Sequence, residues 1–392
     1  MTDINTLRQE INTIDQQLIE LLAKRREVCL GVAAFKFDNA RPITDKAREE
    51  AHLDELMKYA DSKEVSLNLV RKVFTDIFTD SVALQTSYTY TRADTTPEQF
   101  KGQINIASLG PEGSYSYHAT CKYFRALKKQ ITIQNCSSFD EIIAAVENGS
   151  ALFGVMPIEN TSSGCINEVN DLLQDTKVKI VGELTINIDH CVITNGNKDL
   201  SLINTIYSHP QPATQCSNWL KHNLPHATIK TTTASSAAIQ KVAALNDPTV
   251  AALGCGETGK MFGLTIAAEN IANQAHNVTR FIVISLSLVQ VPDYIPAKTS
   301  LTFTTTNKPG ALVKVLEIFS RNNINIAKLQ SRPRSPNANS DSIWAETFYA
   351  DVCINNNTVL MQEILKELKE VTGNVKVLGC YPLETTKQEA KW

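Results

Sequence analysis

Apolar positions near the start of the chain recur at helical spacing. Ile4, Leu7, Ile11, Ile14, Leu18 and Leu22 form one stripe. With no Pro and no Gly before Gly31, the pattern predicts a single helix over residues 4 to about 36, roughly 50 Å long at 1.5 Å per residue. Two shorter helical patterns follow: "ITDKAREEAHLDELMKYA", opened by Thr44 after Pro42, and "LNLVRKVFTDIFTDSVALQ". They are too short to cover the first helix, so a second copy of the chain is expected to cover the rest. "SYTYTRADTTPEQFKG" (87–102) contains no Leu, Ile or Val and reads as a linker.

From Ile104 the period changes. Short apolar runs alternate with helical segments: "INIASLG", "ALFGVMPI", "LTINIDHCVIT", "INTIYSH", "TVAALG" and "RFIVISL". That alternation predicts a mostly parallel sheet with helices on its faces. Past "VPDYIPAKT" a third pattern reads strand (Leu301 to Thr305), helix from Gly310, strand (Ile324 to Ser331), strand (Trp344 to Val352), helix (Leu360 to Val371), strand (Val375 to Gly379). This βαββαβ order is the ferredoxin-like arrangement. The fold class is therefore multidomain: an all-α unit over 1–90, an α/β unit over 104–286, and an α+β unit over 299–385.

Length agrees with two or three domains at ~150 residues each, given 392 residues. A formal net charge of -3 offers no electrostatic case for nucleic acid or an anionic membrane surface. "MTDINTLRQE" lacks the apolar core of a signal peptide, and no run is long enough to span a bilayer. Nine cysteines stand singly without a C-x-x-C pair, so neither a zinc motif nor a disulfide framework is indicated. The expectation is a cytoplasmic protein without metal or cofactor.

Polar residues interrupt the helical stripes where apolar ones belong. Arg25 lies seven residues past Leu18 and Lys36 eleven past Arg25, each about 20° off the stripe. In the third helix Val70, Val73, Phe74, Ile77 and Phe78 lead into Ser81 and Gln85, an i, i+4 polar pair, and Asp45, Arg48 and Glu49 share a face of the second. Any one of these reads as a snorkelling side chain or a fraying end. Together they place clustered cations with few acids on a buried face, which implies an anionic ligand. These residues resemble the all-helical chorismate mutases, intertwined dimers whose first helix serves two sites. The resemblance implies that Arg8 (from a partner chain), Arg25 and Arg48 hold substrate carboxylates and Glu49 takes the hydroxyl. Lys36 and Gln85 face the breaking ether oxygen, with Asp45 and Ser81 completing the site. The implied reaction, chorismate to prephenate, is pericyclic, so positioning and charge stabilisation suffice.

The α/β region repeatedly ends apolar strands in polar turns: "LGPEGSYS", "IENTSSG", "YSHPQPATQC" and "NVT" before Arg280. Ligands in open α/β sheets bind outside the carboxyl ends of strands, near helix N-termini that favour anions. Nucleotide motifs (G-x-x-x-x-G-K-[ST], G-x-G-x-x-G) are missing from these turns. "GPEGSYS", "PIENTSSG", "SHPQ…QC" and "TRF" together resemble the prephenate dehydratases over roughly Ile104 to Leu286. That resemblance implies two lobes like a periplasmic binding protein, with prephenate in the cleft losing water and carbon dioxide to give phenylpyruvate. Thr279 is then the proton donor or orienter of the leaving hydroxyl, with Arg280 as carboxylate partner or acid-tuning cation beside it. Glu159, Asn160, Thr161, Ser208 and Gln215 line the cleft. Histidine is the commonest general acid, and His118, His190 and His209 sit near motifs, but no Ser/His/Asp order is evident.

The third region resembles the ACT domains, amino-acid-binding regulatory modules that work as dimers. "KPGALV" supplies the strand-to-helix turn of the effector site, with Pro309, Gly310, Ala311, Leu312 and Val313. The second family motif, usually Glu-Ser-Arg-Pro, reads Gln330-Ser331-Arg332-Pro333, and a long loop "RSPNANSDSI" follows. Two functions compete: a bifunctional mutase–dehydratase, homodimeric or higher, acting on chorismate and prephenate with phenylalanine as effector; and a non-catalytic sensor with a helical dimerisation arm.

Overall fold

The computed structural model describes residues 3–39, 41, 46–92, 103–125, 131–196, 198–274, 276–286, 291, 296–305, 308–333, 346–356 and 358–383. Asp45 and the loop 334–343 lie outside them. Three helices come first: α1 (Ile4–Asp38), α2 (Lys46–Asp61) and α3 (Leu67–Arg92). The long helix is continuous, as its stripe predicts. α3 runs through Arg92, into the stretch read as linker, because Thr, Tyr and Ser weaken a helix without breaking it and the first Pro there is Pro97. α1 and α3 pack together, yet Ile11 and Leu18 remain 56% and 53% exposed. Two short helices cannot cover one of 35 residues.

The sheet region continues with β1 (Ile104–Leu109), α4 (Tyr115–Tyr123), β2 (Ile131–Cys136), α5 (Phe139–Glu147), β3 (Phe153–Asn160), β4 (Gly164–Cys165), α6 (Asn167–Asp175), β5 (Lys179–Asn187), β6 (His190–Thr194) and β7 (Thr205–Ser208). Next come α7 (Pro210–Gln215), α8 (Ser217–Asn223), β8 (Thr228–Thr231), α9 (Ser235–Leu245), β9 (Val250–Cys255), α10 (Gly256–Met261), β10 (Thr265–Ala268) and β11 (Val278–Ser285). The last unit comprises β12 (Ala297–Thr304), α11 (Ala311–Arg321), β13 (Ile326–Pro333), β14 (Glu346–Val352), α12 (Val359–Val371) and β15 (Asn374–Pro382).

Two sheets result. One runs β13-β14-β12-β15-β5-β11-β3-β1-β2, with β4 on β3; the other runs β10-β6-β9-β7-β8. Both are mixed rather than mostly parallel: in the large sheet β11 enters antiparallel between β3 and β5, and in the second β6 runs antiparallel to β9 and β10. The run "LTINIDHCVIT", read as one strand, is split at Ile188 and Asp189, and its halves belong to different sheets. Ile188 N–H donates to Asn277 C=O (2.7 Å), pairing the two segments that cross between sheets.

The C-terminal four strands keep the ferredoxin-like order and are antiparallel throughout. β15 then pairs parallel with β5 at Gly379 and Ile180, which makes one continuous sheet of two units. A Cβ at Gly379 would sit 2.0 Å from the Ile180 carbonyl oxygen, so only glycine lets the strands close here. Behind the junction Ile180, Ile282 and Ile284 share a core with Tyr349, Leu378 and Tyr381. Burying each such isoleucine contributes ~1.5–3 kcal/mol. No described helix is long and apolar enough to cross a membrane.

Candidate functional site

In the helical unit, Arg25 on α1 donates from Nη1 to Ser81 Oγ on α3, and its guanidinium stands 5.8 Å from the Phe78 ring centroid. Ser81 passes its own proton to the Ile77 carbonyl (2.7 Å), so its oxygen is free to accept from Arg25. Ser81 and Gln85 are buried one turn apart, and Arg25, Lys36 and Glu49 are half-buried. Arg48 and Arg8 are exposed on one chain alone. Two of the polar interruptions, Arg25 and Ser81, thus meet where α1 packs on α3. Holding an arginine between a hydroxyl and an aromatic face aims its remaining N–H groups at an anion.

In the large sheet the register sets Thr279 opposite Asn160 and Arg280 opposite Glu159. Successive residues of a strand point to opposite faces, and the two pairs separate accordingly. On one face Asn160 Oδ1 accepts from the backbone N–H groups of Ser162 and Ser163 (2.9 Å each). Those donors fix which way the amide points. Its NH2 then donates to Asn277 Oδ1 (2.6 Å) and to Thr279 Oγ1 (2.9 Å). With an acceptor site of Thr279 filled, its O–H is left as a donor. Thr161 clamps the same turn: its hydroxyl donates to His276 C=O and accepts from Val278 N–H.

On the other face the charges close on themselves. Arg280 meets Glu159 (2.5 Å), Glu183 (2.9 Å) and Asp351 (2.8 Å), while Lys298 holds Glu183 (2.6 Å) and Lys328 holds Glu159 (2.7 Å). Burial alone would raise the Glu159 carboxyl, but Arg280 and Lys328 outweigh it and hold it below the usual carboxylate range. The expectation that Glu159 and Arg280 line one pocket with Thr279 is therefore corrected. Strand alternation turns both toward β12, β13 and β14, whose Lys298, Lys328 and Asp351 neutralise them.

Ser208 also departs from expectation: it is fully buried at the end of β7 and donates to the His209 carbonyl (2.8 Å). Gln215 keeps a half-buried position. Its Oε1 stands 2.8 Å from His190 Nε2, and Tyr115 OH donates to Asp189 C=O (3.2 Å) beside His190 Nδ1 (3.4 Å). Burial lowers His190 and raises Tyr115, so both are neutral near pH 7. The Gln215 backbone carbonyl accepts from Asn273 N–H (2.7 Å).

In the C-terminal unit Gly310 takes φ +79° at the start of α11, a left-handed geometry that glycine alone adopts without strain. Pro309 precedes it, Ala311 and Leu312 are half-buried, and Val313 is exposed. Gln330 Nε2 donates to Asn167 Oδ1 (3.3 Å) and Arg332 pairs with Asp171 (2.6 Å), both on α6, while Ser331 is exposed. Gln330 Oε1 is buried without a hydrogen-bond partner among the described residues.

Comparison with known proteins follows this division. The prephenate dehydratase family model matches residues 106–287, that of chorismate mutase type II residues 7–86, and that of the ACT domain residues 299–373. A bifunctional chorismate mutase/prephenate dehydratase of Enterobacter agglomerans is 43% identical over 378 residues, 96% of this chain and 95% of that one. The chain belongs to the bifunctional chorismate mutase/prephenate dehydratases. Among solved structures, the prephenate dehydratase of Staphylococcus aureus is similar at 27% identity and TM-score 0.61, covering 71% of this chain and all of that one. A prephenate dehydratase from Arthrobacter aurescens, solved in complex with L-Phe, shares the fold at 23% identity and TM-score 0.62, covering 72% and 90%.

As a bifunctional mutase–dehydratase, the chain contains features that motif reading passed over. Glu183, Lys298 and Asp351 each interrupt an otherwise apolar or hydroxyl-bearing strand, a signal of buried pairing that sequence alone leaves without a partner. Asn277, which accepts from Asn160, stands in the "NVT" turn, where nothing marks it as that partner.

Proposed function

We propose that the two activities of this enzyme sit in separate sites and that the Thr279 hydroxyl assists departure of the prephenate C4 hydroxyl. The observation that carries this is the Asn160–Thr279 hydrogen bond, which fills an acceptor site of the threonine and leaves its proton for the substrate. As the ring carboxylate leaves as carbon dioxide, its bonding electrons enter the ring and expel the hydroxyl, which departs as water when protonated. A threonine hydroxyl is a weak acid, so orientation and hydrogen bonding are its main service. With the Gln215 oxygen turned to His190, its NH2 would serve a substrate carboxylate in this reading. The crossings at Ile188 and Asn277 give the two sheets a two-lobed form in this reading, with the site between them. Thr279→Val should lower dehydratase kcat by ~10²–10⁴, the range for general acid catalysis, and Thr279→Ser should restore most of it. A folded Thr279→Val enzyme with near-normal kcat sinks the assignment.

For the mutase, Arg25, Lys36, Ser81 and Gln85 bind chorismate together with Arg48, Glu49, Asp45 and a partner chain's Arg8. The uncovered stripe of α1 supports the dimer this requires. Phenylalanine is the proposed effector at Gly310 to Val313 and Gln330. The buried, unpartnered Gln330 Oε1 supports that reading, because an orphan acceptor costs ~1–3 kcal/mol until an ammonium meets it. None of the nine cysteines forms a disulfide, as a reducing, cytoplasmic setting would require in this reading.

A further inference from the structure

Among the described residues, one group brings a histidine, a cysteine and a carboxylate together: a ring nitrogen of His118, Cys255 Sγ and a Glu257 oxygen all lie within 4.8 Å of one another. It shares no residue with either proposed site, although Cys255 is the register partner of His190 on β6. His118 sits on α4, which packs on the large sheet, whereas Cys255 ends β9 and Glu257 lies on α10, both of the five-stranded sheet. The group therefore straddles the boundary between the sheets.

The surrounding hydrogen bonds arrange its lone pairs. Thr258 Oγ1 donates its single proton to Gly113 C=O (2.6 Å), so it must accept from His118 Nε2 at 2.8 Å. That fixes the proton of a neutral imidazole on Nε2 and leaves the Nδ1 lone pair facing Glu257 Oε2, 3.5 Å away. A lone pair opposite a carboxylate is unfavourable unless something electropositive lies between them. Cys255 Sγ, at the C-terminal end of β9, completes the group as a soft ligand atom within 4.8 Å of the other two. Three electron-pair donors thus converge, and the histidine already has the outer hydrogen bond that orients metal-ligating imidazoles. Tetrahedral zinc, with bonds of about 2.0–2.3 Å, separates such ligand atoms by roughly 3.3–3.7 Å. The 3.5 Å gap fits, and Glu257, whose side chain is 78% exposed, can adjust and admits the ion from solvent.

We propose that His118, Cys255 and Glu257 bind a zinc-class divalent ion, with water as fourth ligand, tying the two sheets of the dehydratase unit together. The Cys255 proton is released to solvent on binding. Local sequence spacing indicated no metal motif; this group is assembled by residues 118 and 255–257 meeting across the fold.

The test titrates Co²⁺ into the full chain after metal stripping. The expected result is a thiolate-to-cobalt charge-transfer band that saturates at one ion per chain and disappears when Zn²⁺ displaces it. Cys255→Ser should abolish the band, and His118→Gln should weaken Co²⁺ binding at least tenfold, while turnover of both substrates shows each variant folded. If Cys255→Ser fails to fold, His118→Gln decides alone. No thiolate band in the wild type, a band undiminished in folded Cys255→Ser, or unchanged affinity in His118→Gln overturns the proposal.

Discussion

Replacing Asp351 with Asn tests whether the charge cluster at the sheet junction acts as one unit. Three of its members, Glu159, Glu183 and Arg280, come from the dehydratase strands and together carry one negative charge; Lys298, Lys328 and Asp351 come from the ACT strands and carry one positive. Asp351→Asn keeps the shape and an acceptor for Ser300, but leaves the cluster with an excess positive charge. Removing one partner of a buried pair costs ~3–5 kcal/mol. Arg280 retains two carboxylates here, so we expect the lower end, about 3 kcal/mol. The assay uses the two activities as reporters of two regions of one chain during urea denaturation. With a slope of about 3 kcal/mol/M, the midpoint for loss of dehydratase activity should fall by about 1 M. The midpoint for mutase loss should not move. Dehydratase kcat in the absence of urea should also fall, because Glu159 and Arg280 are the covalent neighbours of Asn160 and Thr279. The decisive experiment adds Lys328→Met to Asp351→Asn, which restores neutrality. Recovery of more than ~1 kcal/mol is expected, against the ~0.3–0.5 kcal/mol scatter of independent sites. Strictly additive losses would show that charge balance does not hold the junction, and the reasoning would fail.

Arg25→Met should slow chorismate conversion by ~10–100-fold, the worth of a charge-assisted contact of ~1.5–3 kcal/mol, while phenylpyruvate formation from added prephenate persists; equal loss of both would refute separate sites. The depressed Glu159 carboxyl predicts a pH dependence of stability. The folded state prefers the ionised form, so the stabilisation is full above the ordinary Glu value of ~4.3 and is lost as pH falls through the lower folded value. Urea midpoints measured downward from about pH 5 should decline less steeply in Glu159→Gln, and parallel slopes would contradict this. Gln330→Glu should tighten phenylalanine binding by up to about tenfold through charge assistance to its ammonium; calorimetry showing no change would mean that residue 330 shapes the turn only.

The sequence by itself determined the three units and their order along the chain. An uninterrupted stripe from Ile4 to Leu22 produced one long helix, and its uncovered face is readable from the lengths of the two helices that follow. The βαββαβ order of the last unit was legible because each apolar run is short and bounded by turn residues. Thr279 was singled out through the resemblance carried by "TRF", not through any local physical pattern. Tertiary structure decided which face each residue serves. Strand alternation guarantees that Thr279 and Arg280 point apart, but not that one side meets Asn160 and the other meets charges from β12, β13 and β14. The break at Ile188 and Asp189 was invisible because an apolar run looks the same whether it stays in one sheet or crosses to another. Only packing shows that Asn277 receives the turn. The meeting of His118 with Cys255 likewise depends on how two sheets abut, since no local pattern encodes a contact between side chains so far apart in the chain.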